Sequence, residues 1–90
     1  MSQAIVSPQE LRKFAADLKS FNNDLKSKSK MLNSKLKRLG ETWRDQEHKK
    51  FENNFEQTSK VINKFLDSSE KYVPFLLRKA QAAEQYIKSR

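Results

Sequence analysis

Apolar residues recur along this chain in steps of three and four on either side of a short central interruption. Leu11, Phe14, Leu18, Phe21, Leu25, Leu32, Leu36 and Leu39 mark the first run. At about 100° per residue they fall within a sector roughly 80° wide, which predicts one long amphipathic helix with a single buried face. Ser7-Pro8-Gln9-Glu10 opens it with a serine N-cap, a proline at the first helical position and a glutamate three residues past the cap. The helix is predicted over 8–39. Lys28 falls on the seam of this register, and the step from Leu32 to Leu36 makes the seam drift without a strict supercoil.

The second run reads His48, Phe51, Phe55, Thr58, Ile62, Phe65, Ser69, Tyr72, Leu76, Ala80, Ala83 and Ile87. It predicts a helix over 46–88, with Asp45 as N-cap and Glu47 near the positive end of the helix dipole. Pro74 interrupts the pattern. A proline inside a helix removes one backbone hydrogen bond and crowds the preceding turn. Val73 is a poor cap for a fresh helix, so a kink near Pro74 is expected in place of a full break. By length the second helix outruns the first by roughly ten residues, leaving the segment around Phe75 to Ile87 in need of other company.

Between the runs lies Leu39-Gly40-Glu41-Thr42-Trp43-Arg44-Asp45, which holds the only glycine and the only tryptophan of the chain. Glycine ends helices well because it reaches left-handed backbone angles without a Cβ clash. Aspartate starts them well because its carboxylate accepts amide protons of the first turn. The fold predicted is an all-α antiparallel helix-turn-helix hairpin. It forms one domain over 1–90, with an N-terminal tail at 1–7 and the turn at 40–45. Such a hairpin buries one stripe per helix and is marginal by itself, and without cysteines no disulfide can staple it. Dimerisation into a four-helix bundle is the expected remedy. Leu11, Phe14, Leu18, Phe21, Leu25, Leu32, Phe51, Phe55, Ile62 and Phe65 would carry hairpin and dimer packing, and Trp43, with Gly40 and Asp45 shaping its turn, would fix the corner.

A leucine-studded helix, a tryptophan corner and a second helix with phenylalanines one or two turns later resemble the WXG family of early-secreted-antigenic-target-like proteins. The residues carrying the resemblance are Leu39, Trp43, Asp45 at the position of the family's glycine, Phe51 and Phe55. Trp43-Arg44-Asp45 is thus a W-x-D variant, a mild physical change because glycine and aspartate both serve as helix N-caps. The resemblance implies a hairpin that pairs antiparallel with a second hairpin, as homodimer or heterodimer. It also implies a role as substrate, partner or chaperone in type VII secretion, with a larger secreted effector among the conceivable partners. The chain departs from the family's Tyr-x-x-x-Asp/Glu export signal: Leu76 stands four residues past Tyr72 and Arg90 four past Tyr86.

Charge adds a second reading. The net charge is +8, with nine Lys and Arg against three acids in residues 1–40 and ten against eight in residues 41–90. Arg12, Lys19, Lys26, Lys30 and Lys37 share one stripe of the first helix, about 125° from its apolar face. Glu10, Asp17 and Asp24 project to the other flank. A solvated charged face is the plainer explanation of the stripe. The alternative function is a homodimer that binds nucleic acid through phosphate neutralisation, without base reading, because arginine forks and interleaved aromatics are missing.

Catalysis finds no support. His48 is the only histidine, and Glu47 and Glu52 project away from it at differing angles, so neither a metal nor another cofactor is expected. No nucleophile–base pair or glycine-rich phosphate loop is present, and phenylalanines at helical spacing read as core. Met1 to Val6 lack a basic segment followed by an apolar one, and no stretch approaches the ~20 apolar residues of a membrane span. The expected location is the cytoplasm, with export, where it occurs, proceeding without a cleaved signal peptide.

Overall fold

A computed structural model describes residues 6–89. Two helices account for nearly all of them: α1 (Pro8–Leu39) and α2 (Gln46–Lys88). Both start where the capping chemistry predicts. Ser7 Oγ accepts the backbone N–H of Glu10 at 3.3 Å, and Asp45 Oδ1 accepts that of His48 at 3.0 Å. Each cap satisfies one of the amide donors that the first turn leaves without an intrahelical partner. The helices fold back on one another as an antiparallel hairpin 68 Å long and 24 by 15 Å across. Its radius of gyration is 20.2 Å, where a compact chain of this length would have about 12 Å.

The seam between the helices takes in only part of the leucine-rich stripe: Leu11, Leu18, Leu25 and Leu36 alternate along it with smaller side chains. Ala15 and Asn22 are buried on α1, with Ser29, Asn33 and Leu36 half-buried along the same line. Opposite them α2 presents Ser59, Ile62, Leu66, Ser69, Val73, Leu76 and Ala80, of which Leu66, Ser69 and Ala80 are buried. Small residues let the backbones approach, and two hydrogen bonds cross the gap. Ser69 Oγ donates to Asn22 Oδ1 at 2.7 Å in a buried setting, and Ser59 Oγ donates to Asn33 Oδ1 at 3.4 Å. Ser29 takes the seam place that the periodicity gave to Lys28, which is exposed.

Pro74 lies inside α2, which runs unbroken from Gln46 to Lys88. The ring is exposed at the edge of the hairpin, where Pro74, Glu70 and Val73 line a groove with Lys19, Asn22 and Asn23 of α1, and the carbonyl of Glu70 loses its usual helical donor. Val73 and Leu76, on either side of the proline, both pack on the seam and carry the helix through.

One expectation fails. The far part of α2 is not left without company: Ala80 is fully buried and Arg12 pairs with Glu84. Part of the extra length of α2 lies at the corner, where His48 already reaches Gly40, and only the last residues of α2 extend past the start of α1. The predicted tail overlaps the described residues only at Val6 and Ser7; the rest lies outside them.

Candidate functional site

With the closest points of the seam claimed by small residues, the large apolar side chains are divided. Leu11, Leu18, Leu25, Phe55 and Ile62 are half-buried within the hairpin. Phe14, Phe21, Leu32, Phe51 and Phe65 lie on one outer face, 57, 52, 52, 43 and 45% exposed respectively. Phe21 and Phe65 meet across the edge of the two helices, ring centroids 6.2 Å apart and planes perpendicular. This edge-to-face contact is favoured by the ring quadrupoles. Tyr72 extends the line on α2 at the seven-residue spacing of Phe51, Thr58 and Phe65, and Leu39 and Phe14 bound it on α1. Nearer the corner, Leu32, Leu36, Leu39, Phe51 and Phe55 line a groove of about 210 Å³ with the stem of Lys35.

The corner is an aromatic cluster. Trp43, half-buried, packs edge-on against His48 at 5.0 Å between ring centres and tilted against Phe51 at 5.9 Å, and Phe51 continues to Phe55 at 6.0 Å. The turn is closed by hydrogen bonds from the N–H groups of Gly40, Thr42 and Trp43 to the carbonyls of Leu36, Leu39 and Leu39. The Arg44 side chain donates to the Glu41 carbonyl. Gly40 suits this place for a reason different from the one the sequence suggests. Its backbone is right-handed, φ −64° and ψ −14°, so no left-handed angle is involved. A Cβ at this position would lie 3.1 Å from His48 Cε1 and 3.3 Å from His48 Nε2. The glycine makes room for the imidazole that α2 drives into the turn. His48 is buried, and its Nε2 has no partner in the protein.

The cationic stripe of α1 runs along the opposite edge of the hairpin, where α2 answers it. Arg12 makes a two-pronged contact with Glu84, at 2.6 and 3.1 Å, and Lys26 reaches Glu70 at 3.3 Å. The Arg12 hydrogen bond holds the Glu84 carboxyl below its usual range, and Glu84 raises the guanidinium in return. Lys19, Lys30 and Lys37 remain exposed, so the stripe is interrupted by ion pairs and does not form a continuous ridge. Sequence reasoning placed the five cations together but, with no register between the helices, did not find their partners on α2.

Among the described residues no three of His, Cys, Asp and Glu converge on a point that would hold a metal, and none of the helices is long and apolar enough to cross a membrane. A groove of about 560 Å³ beside Asn33, Glu52 and Ser59 contains no histidine or cysteine.

A hairpin with a tryptophan corner and an uncovered apolar face agrees with the family model that matches residues 3–86, described as proteins of 100 residues with WXG. The chain belongs to the WXG100 family. Members are small, secreted, non-enzymatic helical proteins associated with type VII secretion, and they typically pair with helical partners. No match was found among the curated proteins or the solved structures. In this WXG100 protein the motif position after Arg44 is Asp45, and the structure shows that residue doing a cap's work on α2.

Proposed function

We propose that this WXG100 protein is a pairing module of a type VII-like secretion system, acting as a substrate, partner or chaperone. Its outer face docks on a second hairpin and the two complete a four-helix bundle. The cytoplasm is where it pairs. The observation that carries this reading is the exposed Phe21–Phe65 contact at the centre of the outer apolar face. Surface area supports it. The chain exposes 7770 Å² at a mass of 10.6 kDa, where a folded monomer of that mass exposes roughly 5,500 Å². The excess is larger than the ~800 Å² that each partner contributes to a standard interface.

Sedimentation equilibrium tests the reading. At about 0.5 M salt, where the Debye length falls below ~5 Å and repulsion between cationic copies is screened, the wild-type chain is expected to dimerise. The double variant Phe21→Asp/Phe65→Asp should remain a helical monomer, because neither residue lies on the inner seam. A wild-type chain that neither self-associates over the whole accessible concentration range nor pairs with a copy carrying opposite charges beside that face would overturn the proposal.

A further inference from the structure

The charges bordering the apolar face are unevenly distributed, and their placement narrows the choice of partner. One position before each residue of the Phe51, Thr58, Phe65, Tyr72 line stands Lys50, Gln57, Lys64 and Lys71, and Arg78 continues the row. All are exposed. They form the outer flank of the apolar face on α2, where four cations outnumber two acids: Glu47, three residues before Lys50, and Asp67, between Lys64 and Lys71. Glu70 and Glu84 instead face the opposite edge, where they meet Lys26 and Arg12. On α1 the line of Phe14 and Phe21 continues at the same spacing into Lys28 and Lys35.

We infer that the face docks an acidic helical hairpin in preference to a second copy of this chain; this inference rests on the pairing reading above. A copy laid alongside in the antiparallel sense sets the α2 cation row against its own image. Turned the other way, the copy brings Asp17 and Asp24 near Lys71 and Arg78 but sets Lys28 near Lys64. Either arrangement also joins two chains that each carry a net charge of +8. A partner with carboxylates along the row relieves both problems. Such rim pairs act mainly by choosing the partner and speeding encounter, as charges flanking the core of a coiled coil do.

The probe is a charge-reversed copy, Lys50→Glu/Lys64→Glu/Lys71→Glu/Arg78→Glu, which keeps every apolar residue of the face. Because all four positions are exposed, its helicity and melting are expected to match the wild type. The milder Lys64→Glu/Lys71→Glu variant repeats the test should the fourfold change disturb folding. Sedimentation and native mass spectrometry of differently tagged chains compare the mixed pair with the wild-type pair. At low ionic strength the wild type should bind the reversed copy at least about tenfold more tightly than it binds itself, and the preference should shrink towards parity at about 0.5 M salt. A wild type that pairs tightly with itself and ignores the reversed copy overturns the acidic-partner inference alone. Absence of any pairing at either salt overturns the pairing reading with it. Retention of the wild type on vesicles rich in phosphatidylglycerol, without preference for the reversed copy, assigns the cation row to an anionic lipid surface and equally overturns the inference.

Discussion

The two long faces of this hairpin are built from opposite materials. The inner seam is made of alanine, serine and asparagine at its closest points, with Ala15, Ser69 and Ala80 at 0–1% exposure. The outer face carries phenylalanine and tyrosine, half in solvent. Ordinary burial logic would put the aromatics inside. Their placement outside separates the closest packing within the chain from its largest apolar area. Small residues bring two backbones together, and large ones remain for a separate surface.

The sharpest way to break that contrast is to exchange the materials. Ala80→Leu pushes a bulky side chain into a fully packed place and should destabilise the hairpin by about 1–3 kcal/mol, or roughly 4–8 °C of melting temperature per kcal/mol in a domain of this size. Phe14→Ala, measured in dilute solution by circular dichroism, should cost less than ~1 kcal/mol because the ring is already largely exposed. Equal losses at the two sites would erase the distinction between the faces.

Next in size is the buried hydrogen bond. Ser69→Ala leaves Asn22 Oδ1 as well as Nδ2 without a partner in the protein and should cost about 1–3 kcal/mol. Adding Asn22→Ala should recover part of that loss, a coupling that a double-mutant cycle in urea measures directly.

The smallest effect belongs to the edge. Glu84 is held below its ordinary 4.5 by Arg12, so the folded state binds its proton less readily than the unfolded chain. The contribution is complete above that ordinary value and fades as the pH falls through the lowered one. Both side chains are substantially exposed, so the benefit is small. A melting difference between wild type and Glu84→Gln near neutral pH, vanishing in acid, is the expected result; a difference independent of pH would assign the effect to packing of the glutamate stem.

Much of the architecture was legible because it is written in local chemistry. Ser7 and Asp45 bracket the helix starts, and both caps operate where the sequence put them. The aromatic corner was legible from composition, since a lone tryptophan beside a lone glycine has few other uses. The exact seam was less accessible. Ala15, Asn22 and Ser29 carry little hydrophobic signal, so the periodicity pointed to the leucines and phenylalanines beside them and merged two faces into one. The purpose of Gly40 was hidden for another reason: the obstacle it avoids, the His48 ring, arrives from the next helix. Arg12 and Lys26 likewise looked like one free stripe until Glu84 and Glu70 were brought alongside.

The Asn22–Ser69 pair has a consequence beyond its own energy. Apolar positions on both rods repeat every seven residues, so to carbon atoms alone a slide of one repeat would look almost like home. Such a slide would strand the asparagine opposite Ile62 or Leu76, with its amide facing hydrocarbon. A polar notch in the middle of a greasy track therefore sets the phase of one rod against the other. With that phase lost, Phe21 and Phe65 would no longer line up outside, so a bond invisible to any visitor decides what shape the visitor meets.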